Sequence, residues 1–197
     1  MAETVFAQTT FGIKAGPDFS SVTTKTSGNK STSNGLIGVE AGVYGDFPVA
    51  QELYIRPSLM YAGKGGRYNL GEGYVQTQRL NYITLPVDVL YKAEIPGGNG
   101  AWFAGAGPYA AYGISGKTSD NSPGSVSYDP FKSYSGSSFL NRFDAGAHVQ
   151  VGYEMAGGFN VGINAALGLM NIATQGNSKR GARNTTFGLT LGYAWKR

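Results

Sequence analysis

Residues 11–19 read FGIKAGPDF, and the order of apolar and polar residues in this stretch decides the fold. Successive side chains of a β-strand point to opposite faces, so a two-residue alternation predicts a strand with one apolar and one polar face. Here the odd positions form the apolar face, and the even positions form a face of glycine and charge: Phe11, Ile13, Ala15, Pro17 and Phe19 against Gly12, Lys14, Gly16 and Asp18.

The same alternation recurs along the whole chain, whereas Gly and Pro interrupt nearly every window that a helix would need. We predict eight strands, at residues 9–19, 35–47, 52–67, 76–95, 100–116, 139–155, 158–172 and 184–197. Apart from Arg67, Arg79 and Arg197, which lie towards strand ends, no charged residue falls on the apolar face of any of them, and the other strand charges have the opposite parity. The pattern therefore indicates an all-β protein.

Composition excludes several classes of function. Cysteine is absent, which excludes disulfides, thiolate metal sites and a cysteine nucleophile. Only 14% of residues are charged, against about 25% in an average protein. The net charge of +4 is spread along the chain, and the one compact basic cluster, Lys179, Arg180 and Arg183, is typical of a solvated loop. We therefore expect no nucleic-acid partner.

The connections between the predicted strands alternate in length. Residues 48–51, 96–99 and 156–158 are short turns, and residues 20–34, 68–75, 117–138 and 173–183 are longer and rich in Ser, Gly, Asn and Thr. An up-and-down barrel with an even number of strands places all long loops at one end. We predict an eight-stranded antiparallel up-and-down transmembrane β-barrel in a bacterial outer membrane, with both termini periplasmic and the long loops extracellular.

Alternation alone does not say whether the apolar face meets lipid or fills a soluble core. A soluble ligand-binding barrel would use the same pattern inverted, and it stays an alternative. Three features favour lipid. The polar face is rich in glycine, as a narrow interior requires; aromatic residues lie towards the ends of the apolar faces; and the strands exceed the roughly 9–11 residues that cross a bilayer.

Several segments resemble the PorT-like outer-membrane β-barrel family of Bacteroidota-type bacteria. They are residues 11–19, residues 80–87 (LNYITLPV), residues 104–109 (AGAGPY), residues 144–146 with 152–154, and residues 189–193 (LTLGY). The resemblance implies an eight-stranded outer-membrane barrel and no known activity. Lys196 and Arg197 depart from it, since such barrels usually finish on an aromatic residue. Residues 1–8 are interpreted as a residual signal-peptide or tag segment, and residues 9–197 as the barrel domain.

The charges of the polar faces are predicted to pair inside the barrel and to fill it. The proposed interior network consists of Lys14, Glu40, Arg56, Asp88, Lys92, Arg142, Asp144 and His148. His148 is the only histidine, and it could act with Asp144 as an acid or base. A structural histidine within a filled barrel is the favoured interpretation. No serine lies in a nucleophile-elbow motif, and the loop acids Glu72, Asp120 and Asp129 are isolated. We predict no enzyme activity, cofactor or metal.

The remaining source of function is the set of extracellular loops. Tyr128, Phe131 and Tyr134, in the loop of residues 117–138, are the candidate contact residues, although a flexible Ser/Gly loop is an equal alternative. We expect a monomer that is surrounded by outer-membrane lipid and acts in surface binding, adhesion, envelope assembly or secretion, with a possible protein partner at the loops. A narrow channel for small solutes or ions is the alternative.

Overall fold

The computed structural model describes residues 8–27, 29–71, 73–134, 137–138, 140–174 and 180–195, and its regular elements are all β-strands. The strands are β1 (Thr10–Thr26), β2 (Asn29–Thr32), β3 (Leu36–Ala50), β4 (Leu53–Gly71), β5 (Tyr74–Glu94), β6 (Gly100–Asp120), β7 (Ser133–Tyr134), β8 (Ser137–Ser138), β9 (Phe143–Met155), β10 (Phe159–Gly168) and β11 (Arg180–Trp195). The predictions for residues 1–7 and for Lys196 and Arg197 lie outside the described residues. In the part that is described, no helix is long and apolar enough to cross a membrane.

Nine strands form one antiparallel sheet in the order β11-β10-β9-β6-β5-β4-β3-β1-β2, and β1 also pairs with β11. That additional pairing runs from Phe11 opposite Trp195 to Thr26 opposite Arg180, and it closes the sheet into a ring. Closure satisfies the backbone hydrogen bonds of both edge strands, which a hydrocarbon environment demands. The expected contact between the first and last strands is therefore present.

The sheet has nine members where the sequence predicts eight, because part of the stretch predicted as a loop at residues 20–34 is strand. β1 continues to Thr26, turns at Ser27 with a positive φ of 51°, and returns as β2. Among the described pairings, β2 contacts β1 alone, through Thr23–Thr26. β2 thus extends the sheet beside the ring.

Several other strand ends differ from the prediction. β4 extends to Gly71 and β5 already begins at Tyr74, so the loop predicted at residues 68–75 is a tight hairpin. Gly71 and Gly73 of this hairpin have positive φ of 89° and 81°. β9 starts only at Phe143 and β10 ends at Gly168. Leu140 and Ile172, which the prediction includes in those two strands, lie instead in connections that pack into the mouth of the ring.

The ring has two unlike ends. The connections β3–β4, β5–β6 and β9–β10 are short and define the short-turn end, where Gly97, Gly98 and Gly158 adopt positive φ. The opposite end carries the β4–β5 hairpin and the connections β6–β9 and β10–β11, and we call it the long-loop end.

The apolar face of each strand points out of the ring, and the polar face points into it. Ile37 and Leu191 are 64% and 68% exposed, whereas Lys14, Glu40 and Asp88 are buried. Aromatic residues pack against one another around the outer face near the short-turn end. Trp102 contacts Tyr153 in a tilted arrangement and Phe159 contacts Tyr193 edge-on, with ring centroids 5.1 Å apart in both pairs. An apolar outer surface of this extent is suited to lipid and not to water.

Candidate functional site

The interior of the ring near the short-turn end is filled by a network centred on Asp46 of β3. Arg56 of β4 donates from Nε to Asp46 Oδ1 at 2.5 Å and from Nη2 to Oδ2 at 2.8 Å. Lys92 Nζ of β5 lies 2.7 Å from Asp46 Oδ2 and 2.9 Å from Glu154 Oε2 of β9. The Arg56 guanidinium also lies 4.3 Å from the centroid of the Tyr44 ring. These buried charges each have an opposite charge in contact, which offsets their desolvation.

His148 lies at mid-height in the lumen and contacts Asp88. Its Nδ1 is 2.8 Å from Asp88 Oδ2, which also accepts a hydrogen bond from Gln150 Nε2 at 2.5 Å. The interpretation that paired His148 with Asp144 is therefore wrong. Residues four apart on one strand are about 13 Å apart along it, whereas Asp88 on β5 faces β9 across the single intervening strand β6.

Lys14 and Glu40 also lie in the middle of the lumen. Glu40 Oε1 accepts a hydrogen bond from Asn164 Nδ2 at 2.6 Å. The two side chains, with Lys64, His148 and Asn164, line a cavity of about 30 Å³. A cavity of this size holds one or two water molecules and no larger solute.

Asp144 forms a third group of contacts, nearer to the long-loop end. Its Oδ2 accepts from Lys64 Nζ at 3.0 Å, from Tyr109 Oη at 3.2 Å and from Asn184 Nδ2 at 3.0 Å. The Lys64 ammonium also lies 4.6 Å from the centroid of the Tyr109 ring. Residues of β4, β6, β9 and β11 thus meet across the lumen at this level.

Arg142 does not join the lumen network. It precedes β9, is half-buried, and donates from Nη1 to the Gly113 carbonyl at 2.7 Å and from Nη2 to the Phe131 carbonyl at 3.5 Å. The sequence pattern assigned it to the interior because it keeps the parity of the strand that follows. It instead holds two backbone segments together at the mouth of the ring.

A mouth cluster of apolar side chains closes the lumen at the long-loop end. It consists of Val22, Leu80, Tyr82, Tyr109, Ala111, Phe131, Leu140, Ile172 and Ala182. Phe131 comes from the β6–β9 connection and meets the Tyr82 ring edge-on, with centroids 5.7 Å apart. A Cβ on Gly113 would lie 2.5 Å from Phe131 Cζ, so glycine makes room for the ring. Leu140, which precedes β9, and Ile172, which follows β10, place parts of the β6–β9 and β10–β11 connections in the same cluster.

The predicted contact residues Tyr128, Phe131 and Tyr134 therefore do not form one exposed surface. Phe131 is only 4% exposed and belongs to the mouth cluster, which contradicts its assignment as a contact residue. Tyr128 is half-buried, and its backbone pairs with Thr118 through hydrogen bonds of 2.8 and 3.0 Å. The side chain of Tyr134 lies outside the described residues. The exposed apolar side chains at this end include Val126, Leu70, Val75, Leu169 and Met170.

The lumen also holds polar residues that the predicted network of charges does not include. Gln150, Asn164 and Asn184 are buried and bond to Asp88, Glu40 and Asp144 respectively. The alternation places both Gln150 and Asn164 on the polar face of their strands, so it could have found them. Among the described residues, no group of three or more His, Asp and Glu side chains is placed to hold a metal ion.

A ring-closed antiparallel sheet with an apolar exterior and an ionic lumen defines the class of outer-membrane β-barrels. In agreement, the sequence model of the family described as "Outer membrane protein beta-barrel domain" matches residues 6–174. The chain belongs to this family and is a bacterial outer-membrane barrel protein. The comparison with curated proteins gives no match.

Solved structures of small outer-membrane proteins are similar over nearly the whole chain. OprG from Pseudomonas aeruginosa is 10% identical, with a TM-score of 0.50, and the match covers 95% of this chain and 96% of OprG. Ail, the attachment invasion locus protein of Yersinia pestis, is 12% identical, with a TM-score of 0.48 and coverage of 96% and 100%. Neisserial surface protein A is 11% identical, with a TM-score of 0.48 and coverage of 93% and 96%. At these identities the likeness concerns the fold alone.

Proposed function

We propose that this protein is an eight-stranded membrane barrel with a closed lumen that acts by binding at its long-loop end, in surface attachment or as a partner in envelope assembly or secretion. In this proposal β2 is an extension outside the membrane, both termini are periplasmic, and the long-loop end is extracellular. The resemblance of residues 11–19 and 80–87 to PorT-like barrels supports a role as a partner in envelope assembly or secretion.

The observation that carries the proposal is the closure of the lumen at two levels. Near the short-turn end, Asp46 binds both Arg56 and Lys92. At the other end, Phe131 and the rest of the mouth cluster cover the interior with apolar side chains. An eight-stranded barrel has an interior just wide enough for its side chains. A hydrated ion would have to separate buried ion pairs and displace the mouth cluster.

Because the lumen is closed, we assign binding to the surface of the long-loop end. There, the β4–β5 hairpin and β6 continue beyond the outward aromatic residues Tyr61 and Tyr112, and the connection after β6 follows. Val126 is 82% exposed and Leu70 is 55% exposed. Exposed apolar side chains on a connection carried by a rigid barrel are typical of a contact surface for a protein partner.

The rival function is a channel for small solutes or ions. Conductance measurements in planar bilayers distinguish a channel from a closed barrel. We expect the folded wild-type chain to give no stepwise current, and we expect the mouth variant Phe131→Ala to stay silent as well, because the ion pairs around Asp46 still close the other end. Stepwise currents from the wild-type chain would contradict the proposal.

The orientation is tested on intact cells, because the cysteine-free chain accepts single cysteines as probes. Val126→Cys lies in the long β6–β9 connection, and Asn99→Cys lies in the short β5–β6 turn. A membrane-impermeant maleimide is expected to label the first variant in intact cells and the second only after lysis. The reverse pattern would overturn the orientation.

A further inference from the structure

Six basic side chains lie on the outer surface of the strands, between the continuous apolar band and the tip of the long-loop end. We call them the basic collar. The first patch consists of Arg67 on β4, Arg79 on β5 and Lys117 on β6. The second patch consists of Arg183 on β11, Lys25 on β1 and Lys30 on β2. All six are exposed.

Strand pairing brings these like charges together. Arg79 is directly opposite Lys117, and Lys25 is directly opposite Lys30. Directly opposed residues of an antiparallel pair have Cβ atoms roughly 5 Å apart, and like charges there are destabilising. Among the described residues, no carboxylate forms an ion pair with any member of the collar. The arrangement therefore lacks counter-charges within the described protein.

The outward parity of the first patch is fixed by its neighbours. Tyr61 Oη donates to Asn81 Oδ1 at 2.9 Å, and Asn81 Nδ2 donates to Ser115 Oγ at 2.9 Å, on the outside of the ring. Arg79 and Lys117 are the next outward positions on their strands, two residues beyond Asn81 and Ser115. Leu80, between Arg79 and Asn81, is fully buried in the lumen.

The patch lies at the height of lipid headgroups. The continuous run of outward apolar residues on β5 ends at Ile83, with only Val75 exposed further along the strand, and Arg79 is four residues beyond Ile83, about 13 Å along the strand. Because barrel strands tilt by roughly 40°, this is about 10 Å along the membrane normal. The headgroup region extends about 5–7 Å beyond the hydrocarbon. A long Arg or Lys side chain reaches back over the remaining distance.

We propose that the basic collar binds phosphate groups of outer-leaflet lipids. Guanidinium groups form paired hydrogen bonds with phosphate oxygens, and a phosphate between Arg79 and Lys117 supplies the counter-charge that the sheet lacks. The assignment to the outer leaflet rests on the proposed orientation of the barrel. The binding of lipid phosphate itself does not.

The test uses the full chain folded in zwitterionic detergent micelles, titrated with phosphorylated lipid A or with its dephosphorylated form. The readout is the temperature at which the compact folded gel band is lost. Phosphorylated lipid A is expected to raise this temperature, and the dephosphorylated lipid is not. A lysine or arginine near an anionic membrane contributes about 1 kcal/mol, which is about fivefold in affinity. R79Q/K117Q should therefore need about 25-fold more lipid.

Lys132→Gln is the matched control, since Lys132 is exposed but lies on the β6–β9 connection. It should respond to the lipid as the wild type does. Without phosphorylated lipid, R79Q/K117Q should be at least as stable as the wild type, because the substitution removes a repulsion. An equal response of the double variant and the wild type would overturn the proposal. Equal stabilisation by soluble hexametaphosphate would assign the collar to a soluble polyanion instead.

Failure of the cell-labelling experiment would leave this result standing, because the titration in micelles does not depend on which leaflet the collar meets. The two proposals are thus tested separately.

Discussion

Arg56 and Asp46 form a two-point ion pair across the β3–β4 hairpin, with both carboxylate oxygens of Asp46 accepting from the Arg56 guanidinium. Both side chains are almost completely buried, and Lys92 binds the same carboxylate. The pair holds two neighbouring strands in register and fills the lumen at the short-turn end. The account of a closed barrel depends on this contact and on the mouth cluster.

Replacement of Arg56 by methionine is expected to destabilise the barrel by about 3–5 kcal/mol, because it leaves one charge of a buried network without its main partner. The double variant Arg56→Met with Asp46→Leu should regain most of this loss. Urea unfolding of the chain in lipid vesicles, followed by tryptophan fluorescence, measures both. Lys132→Met is the exposed control. Unfolding of the Arg56→Met variant at the wild-type urea concentration would contradict the role given to the pair.

Gly107 is expected to tolerate no side chain. An added Cβ would lie 1.9 Å from the Val87 carbonyl oxygen, which belongs to the paired backbone of β5. Overpacking of this kind costs at least about 1–3 kcal/mol. At Gly63 the nearest atom to such a Cβ is 3.5 Å away, so Gly63→Ala is the matched control and should change stability little. The folded fraction on unheated gels measures both variants, and equal folding of the two would count against the strand packing described.

Phe131→Ala is expected to release the β6–β9 connection from the mouth of the ring. The substitution removes the edge-on contact with Tyr82 and leaves a void, which costs about 3 kcal/mol and raises the open fraction roughly 100-fold. Trypsin should then cleave faster after the exposed Lys132, while the barrel stays folded. Val126→Ala, at an exposed position, is the control. Cleavage of wild type and Phe131→Ala at the same rate would show that the connection is not held by Phe131.

The sequence was sufficient to predict which face of each strand is apolar. Ile13, Val39, Leu85 and Leu189 all point out of the ring, as the alternation indicates. Parity depends only on the two-residue period of a strand, so it survives errors in the ends of strands. The family match and the closed ring agree with an outer-membrane barrel rather than a soluble one.

Register and loop packing were harder to predict. The partner of His148 is Asp88, which is set by the alignment of β5, β6 and β9, and alternation within one strand holds no information on that alignment. β2 arises because a Ser- and Thr-rich stretch pairs with the end of β1, although its composition is typical of a loop. The prediction that Phe131 is exposed is wrong because a connection without periodicity gives no sign of which side chain turns inward.

The most direct test of the account is a cysteine scan along β5 with nitroxide labels in lipid vesicles. Leu85, Val87 and Val89 face outward, and Thr84 and Leu90 face the lumen. We predict that collisions with oxygen dissolved in lipid are frequent at the three outward positions and rare at the two lumen positions, where a water-soluble nickel complex is also excluded. Frequent collisions with the nickel complex at Leu85, Val87 and Val89, or at Thr84 and Leu90, would contradict a closed barrel with its apolar face in lipid.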